Sequence, residues 1–186
     1  MRIIAGKFKG KKLFLPKDKS TRPLKDIVKE SIFNLLEHSN KINIKLENSS
    51  VLDLFSGSGS FGIECLSRGS ESVYFFEKYS EAVEILKKNL LSLKEKKKIE
   101  IFEEDCFVYL NSNKIINKKF DIIFLDPPYK ELKINELIEM IIIKKLLKND
   151  GIIILHRHKK DKLEITKKIK IFDTRLYGVS KIYIAG

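Results

Sequence analysis

Residues 120–129 read Phe-Asp-Ile-Ile-Phe-Leu-Asp-Pro-Pro-Tyr, an apolar run that leads directly into an acid, two prolines and a tyrosine. The apolar run is typical of a buried strand in a parallel sheet. Each proline fixes its φ near about −65° and has no backbone N–H, so we predict a rigid turn at the carboxyl end of this strand. The turn keeps the carbonyls of Asp126 and Pro127 out of a regular ladder. It therefore presents a carboxylate, a backbone acceptor and the ring of Tyr129 in fixed positions.

These three groups suit the methylation of an amino group on an aromatic base. The lone pair of such a nitrogen is delocalised into the ring, which makes the amine a poor nucleophile. Two acceptors, the Asp126 carboxylate and the Pro127 carbonyl, would bind its N–H groups and favour a tetrahedral nitrogen. Tyr129 would hold the base by stacking, which contributes roughly 1–3 kcal/mol per base. Taken alone, the tetrapeptide is also compatible with a turn that only ends a strand.

A second motif lies upstream, where residues 51–62 read Val-Leu-Asp-Leu-Phe-Ser-Gly-Ser-Gly-Ser-Phe-Gly. Glycines at 57, 59 and 62 fit the strand-turn-helix pattern that lets a nucleotide approach the backbone closely. A nicotinamide cofactor would fit this pattern too. Asp53, inside the strand, favours S-adenosylmethionine, because an acid at this place lies near the methionine moiety in enzymes that use it. The alternative is that Asp53 only caps the turn.

Two further acids follow predicted strands. Glu77 lies twenty residues after Gly57, where a carboxylate can accept hydrogen bonds from both ribose hydroxyls. Asp105 is placed to accept from the adenine amino group, with the Cys106 N–H facing the ring. The residues that we expect to contact the cofactor are Asp53, Phe55, Ser56, Gly57, Ser58, Gly59, Glu77, Lys78, Asp105, Cys106 and Asp126.

Composition limits the class of protein. The chain has 186 residues, 43% of them hydrophobic, which is enough for a globular fold with a real core. No apolar run approaches the roughly 20 residues of a membrane span. Cys65 and Cys106 form neither a metal-type pair nor a disulfide framework, so we expect a reducing cytoplasm and no metal site.

Basic residues are concentrated at the amino terminus. The net charge is +12, and residues 1–25 hold nine basic residues against one acidic residue, or two-thirds of that total. Such an arm is typical of proteins that bind a polyanion, although a solvated basic extension is the alternative. A second basic stretch, residues 159–170, has no role that the sequence identifies. The residues that we expect to contact RNA are Arg2, Lys7, Lys9, Lys11, Lys12 and Arg22.

Alternation of strands and helices predicts an α/β protein with the Rossmann-like class I methyltransferase fold. We expect a mostly parallel seven-stranded sheet with helices on both faces and ligands at the carboxyl ends of its strands. Residues 1–40 are expected to form a β-hairpin and a helix that bind RNA, and residues 41–186 the methyltransferase domain. The pattern also predicts helices over residues 23–36 and 137–147, a turn at residues 149–151 and a final strand pair.

Over essentially its whole length, the chain resembles the RsmD family of small-subunit ribosomal RNA guanine-N2 methyltransferases. The stretches that carry the resemblance are Arg2-Ile-Ile-Ala-Gly6 with Lys11-Lys-Leu13, Arg22-Pro23 with Asp26, Val28, Glu30 and Phe33-Asn34, residues 51–62, Glu77 and Asp126-Pro-Pro-Tyr129. Three positions depart from the family pattern. Leu24 replaces a threonine, His156 stands where a carboxylate is expected, and residues 177–180 read Tyr-Gly-Val-Ser.

The resemblance implies S-adenosylmethionine as methyl donor and one guanine of a small-subunit rRNA loop as acceptor. Asp126, Pro127 and Tyr129 would be the catalytic residues in a direct in-line transfer to a guanine that is flipped or splayed from its loop. We expect a monomeric enzyme that reads a preformed shape, which favours a ribosomal particle over naked rRNA.

Other functions share part of this pattern. A DNA amino-methyltransferase has the same chemistry, but about twenty residues between Asp105 and Asp126 leave little room for a target-recognition insertion. A protein glutamine methyltransferase would more often carry Asn-Pro-Pro-Tyr. A non-catalytic RNA-binding module leaves the glycine loop, Glu77 and Asp126 without a purpose, and a nicotinamide oxidoreductase leaves residues 126–129 unexplained.

Overall fold

The protein is described by a computed structural model that covers residues 1–16, 24–95, 97–114 and 116–186. The described residues form seven strands and five helices. The strands are β1 (Ser50–Asp53), β2 (Ser72–Phe76), β3 (Lys98–Phe102), β4 (Phe120–Leu125), β5 (Leu147–His158), β6 (Ile171–Tyr177) and β7 (Ser180–Ala185). The helices are α1 (Asp26–His38), α2 (Ser60–Ser67), α3 (Ser80–Leu93), α4 (Cys106–Asn111) and α5 (Ile134–Ile143).

The seven strands form one sheet in the order β3-β2-β1-β4-β5-β7-β6. The first five are parallel, and β7 runs antiparallel between β5 and β6. The strand order reverses between β1 and β4, which is where parallel sheets of this kind bind ligands. The predicted class I methyltransferase fold is therefore confirmed.

Each face of the sheet has its own core, because successive side chains of a strand point to opposite faces. Val51, Ile122 and Ile154 belong to one cluster, which packs against α1, α2 and α3. Leu52 and Ile123 belong to the other, which packs against α4 and α5. We refer to these as the first and second faces of the sheet.

The amino-terminal segment packs on the first face. Ile3 and Leu13 are buried in the same cluster as the sheet residues. Within residues 1–16 an antiparallel bridge joins Arg2 and Lys12, and the Ile3 N–H donates to the Lys11 carbonyl over 2.9 Å. The segment is therefore a hairpin-like turn laid on the main core.

Some predicted element bounds were wrong. The turn predicted at residues 149–151 lies inside β5, which extends back to Leu147 and pairs there with Phe120. Helix α5 begins at Ile134, one turn before the predicted start, and ends before Lys145, which adopts a φ of +51°. Helix α4 has only six residues and was not predicted.

Candidate active site

A cleft of about 540 Å³ opens at the carboxyl ends of β1, β2 and β4. Its walls come from the loop after β1, the residues after β2, the start of α4 and the turn after β4. Leu24, near the end of the basic arm, also lines it. Every catalytic and cofactor residue predicted from the sequence, except Gly59, lines this cleft.

The glycine loop is fastened to the end of β2 by Glu77. The Glu77 carboxylate accepts hydrogen bonds from the N–H groups of Gly57, Lys78 and Tyr79 over 2.8, 2.8 and 2.9 Å. Gly59 adopts a φ of +85° at the start of α2, and a Cβ there would lie 2.4 Å from Leu86. A side chain at this position would therefore be strained, which explains the glycine here.

Asp53 is buried below the glycine loop, with 1% of its surface exposed. Its Oδ2 accepts from the Gly62 N–H over 3.2 Å, whereas its Oδ1 finds no hydrogen-bond donor in the described part of the chain. Burial, followed by the charges of Asp126 and Glu77, raises the pKa of Asp53 to about 8. A positively charged ligand group would match this acceptor.

Asp105 already has partners on both oxygens. It caps α4 by accepting from the Phe107 N–H over 2.8 Å, and it pairs with Lys78 at 2.8 Å. Partial burial acts to raise the pKa of Asp105, but these two hydrogen bonds outweigh it and hold the pKa below its usual range. Cys106 is buried, and burial raises the pKa of its thiol, which stays neutral.

The turn after β4 brings Asp126 against His156, the residue that stands where the family pattern has a carboxylate. His156 of β5 lies 2.7 Å from Asp126 between Nδ1 and Oδ1. The His156 side chain is 2% exposed, and its Nε2 makes no hydrogen bond with the described residues. Because an ionised carboxylate can only accept, Nδ1–H is the donor in a hydrogen bond to ionised Asp126, and this contact holds the side chain of Asp126 at the cleft.

Arg157 holds the residues that follow. Its guanidinium donates to the carbonyls of Pro128, Tyr129 and Glu131 over 3.2, 3.1 and 3.0 Å. The Tyr129 ring meets His158 edge-on, with centroids 5.1 Å apart. In the described part of the chain, no hydrogen bond reaches the carbonyl of Pro127. The turn therefore keeps that acceptor available, as its two prolines predicted.

A known protein family matches this chain over its whole length. The family model described as "Conserved hypothetical protein 95", which is the RsmD family, matches residues 1–186. The chain belongs to the RsmD family.

Relatives of this RsmD chain agree with the assignment. A Bacillus subtilis protein provisionally named rRNA methyltransferase YlbH is 36% identical over 185 residues, which cover 99% of this chain and 97% of that protein. Ribosomal RNA small subunit methyltransferase D of Haemophilus influenzae is 35% identical over 89% of this chain and 82% of its own. A solved Escherichia coli structure, yhhF, superposes with a TM-score of 0.84 at 24% identity over 100% of this chain and 96% of its own, which supports the fold.

The basic residues of the RsmD amino-terminal segment are mostly exposed. Arg2, Lys7, Lys9 and Lys12 face outward, whereas Lys11 reaches the Ser92 carbonyl of α3. The Nζ of Lys7 lies 3.3 Å from Oε2 of Glu95, and the Nε of Arg2 lies 3.9 Å from Oδ2 of Asp26. Arg22 falls outside the described residues.

Two buried polar residues tie this segment to the helices beside the cleft. The Glu64 carboxylate of α2 accepts from the N–H groups of Ile4 and Ala5 over 2.8 and 2.9 Å. Asn89 of α3 pairs with both backbone groups of Phe14 and donates to the Ser58 carbonyl of the glycine loop over 2.9 Å. The basic segment and the glycine loop are thus held in one arrangement.

Neither a metal-binding cluster nor a membrane-spanning helix occurs among the described residues. In the described ranges, no three His, Cys, Asp or Glu side chains are grouped so that they could hold a metal ion. No helix in that same part of the chain is long and apolar enough to cross a membrane.

Proposed function

We propose that this chain transfers a methyl group from S-adenosylmethionine to the exocyclic N2 amine of a guanine in small-subunit rRNA. The observation that carries the proposal is that Asp126, the Pro127 carbonyl and Tyr129 share one cleft with the glycine loop, Asp53 and Glu77. The names of the relatives support rRNA as the substrate class.

The cleft fits S-adenosylmethionine. The buried Oδ1 of Asp53 lacks a donor among the described residues, and the cofactor carries an ammonium and a sulfonium group that would supply positive charge. The Glu77 carboxylate would accept hydrogen bonds from the ribose hydroxyls. It would use the lone pairs that are not engaged by backbone N–H groups. Asp105 would receive the adenine amino group if its contact with Lys78 lengthens, and the Cys106 N–H would face the ring. Phe55, Ser56, Gly57, Ser58, Gly59 and Lys78 complete the proposed cofactor contacts.

Asp126 and Pro127 would then prepare the acceptor nitrogen. Their two oxygens accept from the amine N–H groups, while Tyr129 stacks on the guanine. When bound, S-adenosylmethionine would supply an electrophilic methyl: the N–CH3 bond would form in line as the S–CH3 bond breaks, S-adenosylhomocysteine would leave, and the amine would give up one proton to the Asp126 carboxylate that accepts its hydrogen bond. Positioning and fixed electrostatics account for the rate.

RNA binding is assigned to the basic extension formed by residues 1–40. Arg2, Lys7, Lys9, Lys11, Lys12 and Arg22 would contact phosphates around the target loop. We propose a monomeric, cytoplasmic enzyme that acts on a ribosomal particle.

Cofactor binding is expected to strengthen as the pH rises from 6 towards 8. Asp53, whose pKa is raised to about 8, is mostly protonated at pH 7 and must ionise to pair with a cationic ligand. Binding of S-adenosylmethionine at pH 7 should therefore release a proton. Calorimetric titrations in buffers of different ionisation enthalpy measure this release, and Asp53→Asn should remove it. An unchanged release in that variant would assign the proton to another group.

His156→Ala is expected to lower kcat about tenfold to a hundredfold with little change in the KM for RNA. The reason is that a hydrogen bond to a charged group contributes about 1.5–3 kcal/mol, and the Asp126 carboxylate would lose its only side-chain donor among the described residues. Steady-state kinetics measure the two constants separately. His156→Asn keeps a donor close to the position of Nδ1 and should recover most of the rate. An equal loss in both variants would indicate a packing role.

A parallel assay tests the proposed substrate class. Labelled S-adenosylmethionine is offered with small-subunit particles, naked rRNA, duplex DNA or release factor. We expect label in rRNA, with the particle as the better substrate. Label in DNA or in release factor would keep the reaction and replace the substrate, and cofactor binding without any transfer would favour the non-catalytic RNA-binding module.

A further inference from the structure

Five lysines lie on the two loops next to Tyr129, and one of them, Lys130, lines the cleft. They stand on the loop that follows the Asp-Pro-Pro-Tyr turn and on the loop that follows β5, and all five are exposed. We call them the lysine rim, which consists of Lys130, Lys133, Lys159, Lys160 and Lys162. In the described part of the chain, none of their ammonium groups lies within 4.0 Å of a carboxylate. Their charges are therefore available to a partner.

The two loops are fastened to each other. Arg157, which is 1% exposed, donates to three carbonyls of the first loop and pairs with Asp161 of the second. Asn135, at the start of α5, donates to the Glu164 carbonyl over 2.8 Å and accepts from the Thr166 N–H over 2.9 Å. Buried and half-buried polar contacts thus fix the positions of the two loops relative to each other, and with them the backbone positions of the lysine rim.

The rim and the basic amino-terminal segment lie on opposite faces of the sheet. Ile3 and Leu13 anchor the amino-terminal segment in the core of the first face. Leu163 and Ile165 anchor the second loop against the core of the other face. The cleft lies at the sheet edge between the two, with Leu24 on one side and residues 126–131 on the other. An RNA strand that enters the cleft beside residues 126–131 would meet the loops that carry the lysine rim.

We propose that the lysine rim is a second RNA-docking surface, which receives phosphates on the far side of the target base from the amino-terminal segment. This inference rests on the proposed function, because it assumes that the base entering the cleft belongs to RNA. Charge complementarity favours a polyanion over an apolar partner. RNA phosphates bound at two separate basic surfaces would fix the orientation of the protein on the RNA. The target base would then point towards Asp126.

The test compares two variants that lose the same charge. Lys159→Ala/Lys160→Ala/Lys162→Ala removes three charges from the rim. Lys41→Ala/Lys45→Ala/Lys119→Ala removes three exposed lysines, of which Lys45 and Lys119 border a groove near the amino ends of the strands, far from the cleft. Binding of a small-subunit rRNA transcript and of small-subunit particles is measured between about 50 and 200 mM salt, where phosphate contacts dominate. S-adenosylmethionine affinity and Tm report on folding.

The rim variant should bind both RNA probes at least tenfold more weakly than the wild type. Its plot of log affinity against log salt should be shallower by about 2, since each single-strand phosphate contact contributes about 0.7. The control variant should change little in affinity or in salt dependence, although its net charge equals that of the rim variant. Equal behaviour of the two variants would overturn the proposal.

Weaker binding to particles with unchanged binding to the transcript would also overturn it, because the partner would then be a ribosomal protein. Failure of the proposed function has a different signature. In that case the wild type transfers no methyl to any RNA, whatever the rim contributes to binding.

Discussion

Asp126→Ala is expected to reduce methyl transfer by at least about 10³-fold while S-adenosylmethionine still binds. The substitution removes the proposed acceptor of the target amine, and preorganised electrostatic contacts of this kind contribute about 10²–10³ in kcat, before the loss of orientation is counted. The contact between the glycine loop and Glu77, which we propose to bind the cofactor, does not depend on this side chain. Single-turnover transfer and a cofactor titration measure the two effects separately.

Asp126→Asn is the matched control for this prediction. Its amide oxygen still accepts the His156 Nδ1–H, so the local packing is kept while the negative charge is lost. We expect cofactor affinity and Tm close to the wild type and a rate between the wild type and Asp126→Ala. Full activity of Asp126→Ala would refute the assignment of this residue.

Glu64→Ala is expected to lower the free energy of unfolding by about 3–5 kcal/mol. Glu64 and Lys29 have fully buried side chains, with Nζ and Oε2 3.5 Å apart. Burial lowers the pKa of Lys29, although Glu64 and Asp26 act to raise it. Removal of the carboxylate leaves a buried ammonium without its counter-charge and takes the acceptor from two backbone N–H groups. Urea denaturation at pH 7 measures the loss.

Two milder variants keep this prediction testable if Glu64→Ala does not fold. Glu64→Gln retains one acceptor oxygen and should lose less stability than Glu64→Ala. Glu37→Ala removes the exposed partner of Arg68, which also pairs with Glu64, and should cost less than about 1 kcal/mol. If Glu64→Ala costs no more than Glu37→Ala, the buried network does not stabilise the fold as described.

Local patterns predicted the parts of this fold that depend on short stretches of chain. The apolar run of β4 and the glycine spacing after β1 each specify strand, turn and ligand edge within a few residues. They located Asp53, Glu77 and Asp126 at one edge of the sheet correctly. Helix α4 was missed because six residues are too few to show a helical period.

Contacts between distant residues could not be predicted in the same way. His156 meets Asp126 only because β4 and β5 pair in a register that sets Leu125 beside Leu155. Glu64 receives the N–H of Ile4 across sixty positions of the sequence. The turn predicted at residues 149–151 was wrong because these residues form an irregularity within β5, between Leu147, which pairs with Phe120, and Ile152, which pairs with Ile122.

Identification of the methylated nucleoside is the most direct test of the proposed methyl transfer to the N2 amine of an rRNA guanine. Small-subunit particles that have been incubated with labelled S-adenosylmethionine and this protein are stripped of protein, and the rRNA is digested to nucleosides and separated. We expect the label to elute as N2-methylguanosine and Asp126→Ala to yield none. Label in any other nucleoside, or only in the protein fraction, would contradict it.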